Sequence, residues 1–230
     1  MQNKRDIILL HGAIGCSKQL DVLDSFLSEK FVIHRFDFPG HGSKANQASN
    51  FSIYNFVNYL RNYILDSKLI KPFVFGYSMG GYVALTLESF ENTFDKIMTL
   101  NTKFDWSKKT AEKEKKLFIP ELIEKKVPHF AENLIAMHGD ENWKRLLSYH
   151  RNLMDDIADE NVLNSNLLKK IDKEVLICRS EKDEMVTKSE SINVTGKIKG
   201  AEYYEIENSR HAIEQIDIEI LVNKMNQFFS

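Results

Sequence analysis

Only two cysteines, Cys16 and Cys178, occur in 230 residues. They are too few for a disulfide framework or a cysteine-ligated zinc site. Both stand beside apolar, strand-like runs, where a lone cysteine acts as a small buried hydrophobe. Long hydrophobic runs are missing as well. No apolar stretch approaches the ~18 residues of a membrane span. The run "IILL" after Lys4 and Arg5 stops at His11, short of the ~7–15 apolar residues of a secretory signal. Nor is there an excess of one charge: 31 Lys and Arg against 33 Asp and Glu give a net charge of -2. That balance leaves no electrostatic footprint for nucleic acid. The lysines at 108–109 and 113–116 have Glu112 and Glu114 among and beside them and read as a solvated helix face. No cluster of metal-ligating residues, no phosphate-cradling glycine loop and no cofactor box is present. The expectation is a soluble cytoplasmic protein that engages no cofactor, metal, nucleic acid or membrane.

What is present is an alternation. With 43% hydrophobic residues, the chain suits one domain, or one domain carrying an insertion. Six short runs read as strands: 6–12, 31–37, 73–78, 96–102, 174–180 and 202–207. The first five are apolar without strict alternation, as parallel strands covered on both faces should be. Helical patterns separate them. In 52–66, Phe56, Val57, Leu60 and Ile64 recur at helical spacing behind Ser52, a fitting N-cap. A second helix spans 80–90, and 214–229 carries the stripe Ile216, Ile220, Leu221, Met225 and Phe228. This pattern predicts a doubly wound, mainly parallel α/β sheet of about six strands. Between 103 and 170 there is no strand pattern, only charged amphipathic helices broken at Pro120, Pro128 and Gly139. That interval is too long for a loop. The expected organisation is a core of 1–102 and 171–230 with a helical lid, 103–170, inserted.

Seven of the ten glycines (Gly12, Gly15, Gly40, Gly42, Gly76, Gly80 and Gly81) fall at or just beyond the ends of the first three strands. In a parallel sheet those ends share the edge where ligands bind. The sharpest reversal is "FVFGYSMGGYVAL" (73–85), a buried strand running into a helix through Gly-x-Ser-x-Gly. Such a turn raises the serine, Ser78, above the sheet and points the amide of the next residue, Met79, back at the reacting carbon. A free serine hydroxyl is a poor nucleophile and needs a base and oxyanion donors. The loop "LLHGAIGCS" (9–17) offers a second donor, the amide of Ala13.

Seven histidines compete for the role of base. His211, in "ENSRHAIEQ", alone follows the last strand and precedes the last helix. For the acid, Asp183 lies three residues beyond the strand in "EVLICRSEKDEMVT", and Asp105, after the fourth strand, is its rival. The acid would fix the imidazole tautomer and stabilise the imidazolium.

"HGAIG", "FDFPGHGS", "GYSMGG", the Asp183 loop and "RHAIEQ" together resemble, in order and spacing, a small lidded α/β-hydrolase. The resemblance covers nearly the whole chain. It implies a Ser78, His211 and Asp183 triad, an oxyanion hole of Ala13 and Met79, and a helical lid over the site. Two departures stand out. Family members begin with two further strands before the "HG" strand, so a smaller sheet is expected. Glu174 and Ser180 occupy positions where the family's acid loop has Pro and Gly. The elbow is similar to those of carboxylesterases, carbon–carbon bond hydrolases, enol-lactonases, cofactor-free perhydrolases and a menaquinone-pathway lyase. That lyase carries an arginine where Tyr82 stands here. Haloalkane dehalogenases place aspartate, not serine, at the elbow. The expected activity is cleavage of a small to medium, uncharged acyl or aryl ester or thioester. A carbon–carbon hydrolase or lyase and a triad-retaining small-molecule receptor are the alternatives. Beside Tyr82, Trp143 and Met154 of the lid are expected in the substrate pocket, as a large ring and a pliable thioether suit an adaptable apolar wall.

Overall fold

A computed structural model describes residues 4–47 and 51–230. Six strands form one sheet: β1 Arg5–Leu10, β2 Phe31–Arg35, β3 Phe73–Tyr77, β4 Lys96–Leu100, β5 Glu174–Ser180 and β6 Glu202–Ile206. Their order is β2-β1-β3-β4-β5-β6, every neighbouring pair is parallel, and no further strand precedes β1 among the described residues. The registers Leu10↔Gly76, Tyr77↔Leu100, Leu100↔Cys178 and Ser180↔Ile206 bring the carboxyl ends into line along one edge. The chain winds outward in opposite directions from β1 and β3, so the loops after those two strands diverge and open a crevice.

Alternation along each strand feeds two cores. Ile7, Leu9, Phe75, Met98 and Leu176 pack against the helices α1 Asp21–Leu27 and α10 Ile218–Phe228. Ile8, Leu10, Val74, Ile97 and Val175 pack on the other face, against α2 Ile53–Asp66, α3 Met79–Phe90 and Val194 of α9 Lys188–Thr195. Ser52 caps α2 as expected, its side chain accepting from the Asn55 amide. The last helix starts later than its apolar stripe suggests. Residues 213–215 form a 3₁₀ turn, and Asp217 caps α10 by accepting from the Ile220 amide.

The interval between β4 and β5 is helical: α4 Lys108–Glu114, α5 Pro120–Lys126, α6 Pro128–His138, α7 Asp140–Glu160 and the short α8 Ser165–Leu168. Pro120 and Pro128 each open a helix, where a missing N–H costs nothing, and Gly139 with φ 89° separates α6 from α7. Helices α4 to α7 close over a core of their own that includes Phe118, Leu134, Trp143 and Leu147. These four helices with their connections, here the cap, reach the crevice through Phe118 and through His150, Leu153, Met154 and Ile157 of α7, which line one cavity with Ala13, Ser78 and Met79. No helix among the described residues is long and apolar enough to cross a membrane.

Candidate active site

Ser78 ends β3 and opens α3 with φ 51° and ψ -115°, a backbone state that a residue with a Cβ rarely adopts. Its neighbours explain the glycines. A Cβ on Gly76 would overlap the backbone of Gly81, and one on Gly80 would stand 2.6 Å from the Leu10 carbonyl oxygen. The elbow is pinned from the next strand: the Ser78 amide donates to the Leu100 carbonyl at 2.8 Å, and Thr102 Oγ1 donates to the Ser78 carbonyl at 3.0 Å.

The structure brings His211 and Asp183 together across 28 residues of sequence. His211 Nδ1 lies 2.8 Å from Asp183 Oδ2. The other carboxylate oxygen of Asp183 accepts from the amides of Met185 and Val186 at 2.8 and 2.9 Å. With its carboxylate fully buried and both oxygens committed, Asp183 holds the ring in one orientation, with Nδ1–H towards the acid and Nε2 without a partner among the described residues. Asp105, the rival acid, is exposed and stays within its own turn, accepting from Ser107 and Thr110.

Ser78, His211, Ala13 and Met79 line one cavity of about 60 Å³. Among the described residues, neither the Ala13 nor the Met79 amide donates to a protein acceptor. Both are therefore available to an oxyanion. No direct hydrogen bond joins Ser78 Oγ to His211 among the described residues; such bonds often tighten only once substrate is bound.

Three supporting residues were not visible as functional in the sequence. Asn101, fully buried with φ 52°, accepts from the Ser180 amide at 2.7 Å and donates to Ser180 Oγ and to the carbonyls of Arg210 and His211. It thereby fixes the histidine loop to β4 and β5. Tyr77 adds a second tie, its hydroxyl donating to the His211 carbonyl at 3.0 Å. Arg179 donates to the carbonyls of Val186, Glu181 and Asp183, so its planar fork shapes the acid loop that lacks the family's glycine. Lys103 lies in the cavity wall, yet its Nζ donates to the Met185 carbonyl at 2.6 Å and stands 3.7 Å from Glu190 Oε2. The one lysine of the wall is thus already neutralised.

The pocket residues expected from the cap divide. Met154 lines the cavity, as does Tyr82, whose hydroxyl accepts from the Leu163 amide at 3.0 Å. Trp143 does not. It is 1% exposed inside the cap's own core, and its indole N–H has no partner among the described residues. Its ring packs helix on helix, and Phe118, Trp106 and His150 supply the aromatic wall instead.

Behind His150 of this wall stand three more histidines, His11, His41 and His138. His11 donates Nδ1–H to the Gly12 carbonyl and accepts from the Phe38 amide. His41 Nε2 and His150 Nε2 lie 2.9 Å apart. Burial holds the His11 ring down to about 4 and the His150 ring down to about 3, the latter helped by repulsion from His11 and His138. Burial likewise lowers His138, and burial with the neighbouring rings lowers His41 well below its ordinary value. Nearby, burial pushes the Asp37 carboxyl up, but hydrogen bonds from Ser43 and Ser17 outweigh it and bring the pKa to about 2.

In sequence, residues 7–160 match the family described as alpha/beta hydrolase fold. No curated protein matches the chain. Among solved structures, NosK from Streptomyces actuosus superposes with a TM-score of 0.83 at 16% identity, covering 99% of this chain and 98% of its own. The esterase EaEST from Exiguobacterium antarcticum gives 0.79 at 16% identity, covering 100% and 94%. The enol-lactonase from Burkholderia xenovorans LB400 gives 0.76 at 17% identity, covering 99% and 92%. At these identities the likeness is one of fold.

Proposed function

We propose that this chain, which belongs to the α/β-hydrolase fold family, is a serine hydrolase that cleaves a small to medium, uncharged acyl or aryl ester or thioester through an acyl-enzyme. The observation that carries the reading is a strained Ser78 sharing one cavity with His211, whose Nδ1 is held 2.8 Å from a buried Asp183. In the first half-reaction Ser78 Oγ attacks the carbonyl carbon as its proton passes to His211 Nε2. Asp183 stabilises the imidazolium that results. The amides of Ala13 and Met79 receive the developing oxyanion. Collapse expels the alcohol or thiol, which takes its proton from His211. Water then repeats the sequence on the acyl-Ser78 ester, releasing the acid and restoring the hydroxyl.

The wall supports the substrate class. It is mostly apolar, with Phe118, Leu153, Met154 and Ile157 around the elbow, and its lysine is already paired with Glu190. A carboxylated substrate would find no free cation there among the described residues. The cap serves as the lid that closes this wall, and the two free, buried thiols of Cys16 and Cys178 suit a cytoplasmic setting. The test is labelling with a fluorophosphonate probe alongside turnover of a chain-length series of p-nitrophenyl esters. The parent takes the probe at Ser78 and turns over the shorter esters; Ser78→Ala does neither. Equal turnover in Ser78→Ala and parent would overturn the assignment.

A further inference from the structure

Ile14 follows Ala13, whose amide is one of the two proposed oxyanion donors. It occupies a tight turn closed by the Gly15 amide on the Gly12 carbonyl at 3.3 Å. Its φ is 49°, a left-handed state that is unusual for a β-branched residue and normally filled by glycine at this turn position. Something must hold it there. Both polar groups of Ile14 are taken by side chains of the cap. Its amide donates to His150 Nε2 at 3.2 Å, and its carbonyl accepts from His138 Nε2 at 2.9 Å. His138 is itself set from behind, because its Nδ1 accepts from the Gly42 amide at 3.0 Å. A carbonyl only accepts and an amide only donates, so this ring is the neutral tautomer with its proton on Nε2. Among the described residues no three His, Cys, Asp or Glu side chains form a metal site, so these rings act through hydrogen bonds.

We propose that His138 and His150 are positioning residues for the oxyanion hole: they grip the backbone of Ile14 from the cap and so aim the Ala13 amide at the point faced by the Met79 amide. The inference rests on the acyl-transfer reading above. Its consequence is a division of labour between the two donors. Met79 stands at the start of α3, inside the fold, and its direction is independent of the cap. Ala13 lies on a strained loop whose direction depends on the cap being seated. The oxyanion hole is therefore complete only when the cap is docked, which couples closure of the pocket to stabilisation of the transition state.

A histidine that merely docked the cap would alter stability and KM. One that aims an oxyanion donor alters kcat, because the oxyanion exists only after attack. The decisive variant is His138→Phe, which keeps ring volume and removes both hydrogen bonds; His138→Gln restores a donor for the Ile14 carbonyl. Removing one oxyanion donor outright costs about 10²–10³ in kcat. A misaimed donor should cost about tenfold to a hundredfold, with KM within about twofold and most of the loss recovered in His138→Gln. A second readout needs no turnover. In ¹⁵N-labelled parent, phenylboronic acid bound at Ser78 shifts the amide signals of both Ala13 and Met79; in His138→Phe it shifts Met79 alone. Should His138→Phe fail to fold, His150→Leu is read in the same way, with loss of the Ala13 response as the criterion, since that change also alters the wall. Unchanged kcat with an intact Ala13 response in a folded variant would overturn the proposal while leaving the hydrolase reading in place. A parent that takes neither the fluorophosphonate nor the boronate would overturn the hydrolase reading itself.

Discussion

Acidification should unfold this protein over a window set by its buried histidines. An unfolded histidine takes up its proton near 6.5, whereas burial holds His11 to about 4 and His150 to about 3 in the folded chain. Below 6.5 the unfolded state therefore binds protons that the native state refuses, and stability falls as pH falls. It is fully present above about 6.5 and stops draining only when the folded rings protonate, near 4 and 3. At pH 5 each of these rings has forfeited about 1.5 units of pH, or about 2 kcal/mol, so the two together remove about 4 kcal/mol relative to pH 8. His41 and His138 shift in the same direction and add to the loss. Against a typical total of about 5–15 kcal/mol, that is a large share. Asp37 acts elsewhere: with its carboxyl at about 2, its contribution is lost only below the ordinary carboxylate range. Urea titrations at pH 8, 6.5 and 5 measure the effect. Far-UV circular dichroism follows the whole fold, and fluorescence follows Trp106 and Trp143, which lie at the cavity wall and in the cap. The expected result is a midpoint that falls steeply from pH 6.5 to 5, with a shallower slope in His150→Gln. A fall of less than about 1 kcal/mol between pH 8 and 5 would refute the claim that these rings are buried and neutral.

Asp183→Asn should leave the fold intact and lower kcat by up to ~10⁴-fold through the wrong imidazole tautomer, while Asp105→Asn leaves kcat unchanged; steady-state kinetics on a short p-nitrophenyl ester compares them. Trp143→Ala should cost about 3–5 kcal/mol in urea unfolding without changing the ratio of kcat/KM values across acyl lengths. Trp143→Phe should cost much less, since it also removes an unpaired buried N–H. Met154→Ala, by contrast, should shift the preferred acyl length towards longer chains, read from the same ester series.

The sheet and the elbow were legible because their signals are local. Apolar runs with glycines at their ends mark parallel strands and their functional edge, Ser52 marks a helix start by the group it adds, and Pro120 and Pro128 mark breaks that the structure shows as helix starts. His211 and Asp183 could be placed by their positions after β6 and β5, and the structure brings them within 2.8 Å of each other. Asn101 and Lys103 were not legible, since each acts on main chain that only the folded sheet brings near, and Arg179 was not, because its bonds depend on how the loop it opens curls back on it. Trp143 shows a related limit. A helical stripe tells which face is buried but not whether it meets a neighbouring helix or a cavity. The grip of His138 and His150 on Ile14 likewise spans more than 120 residues of sequence.

The backbone of Ser78, at φ 51° and ψ -115°, is close to the mirror image of ordinary extended chain. Glycine reaches that region about as easily as the unreflected one, whereas a residue with a Cβ stays there at a cost of about 1–3 kcal/mol. Chain preference and chemistry thus ask for different residues at this one position. Under selection for heat survival alone, drift at codon 78 would run towards glycine, giving a sturdier protein with no nucleophile. On the proposed acyl-transfer reading, serine at 78 sets that backbone cost against a nucleophile.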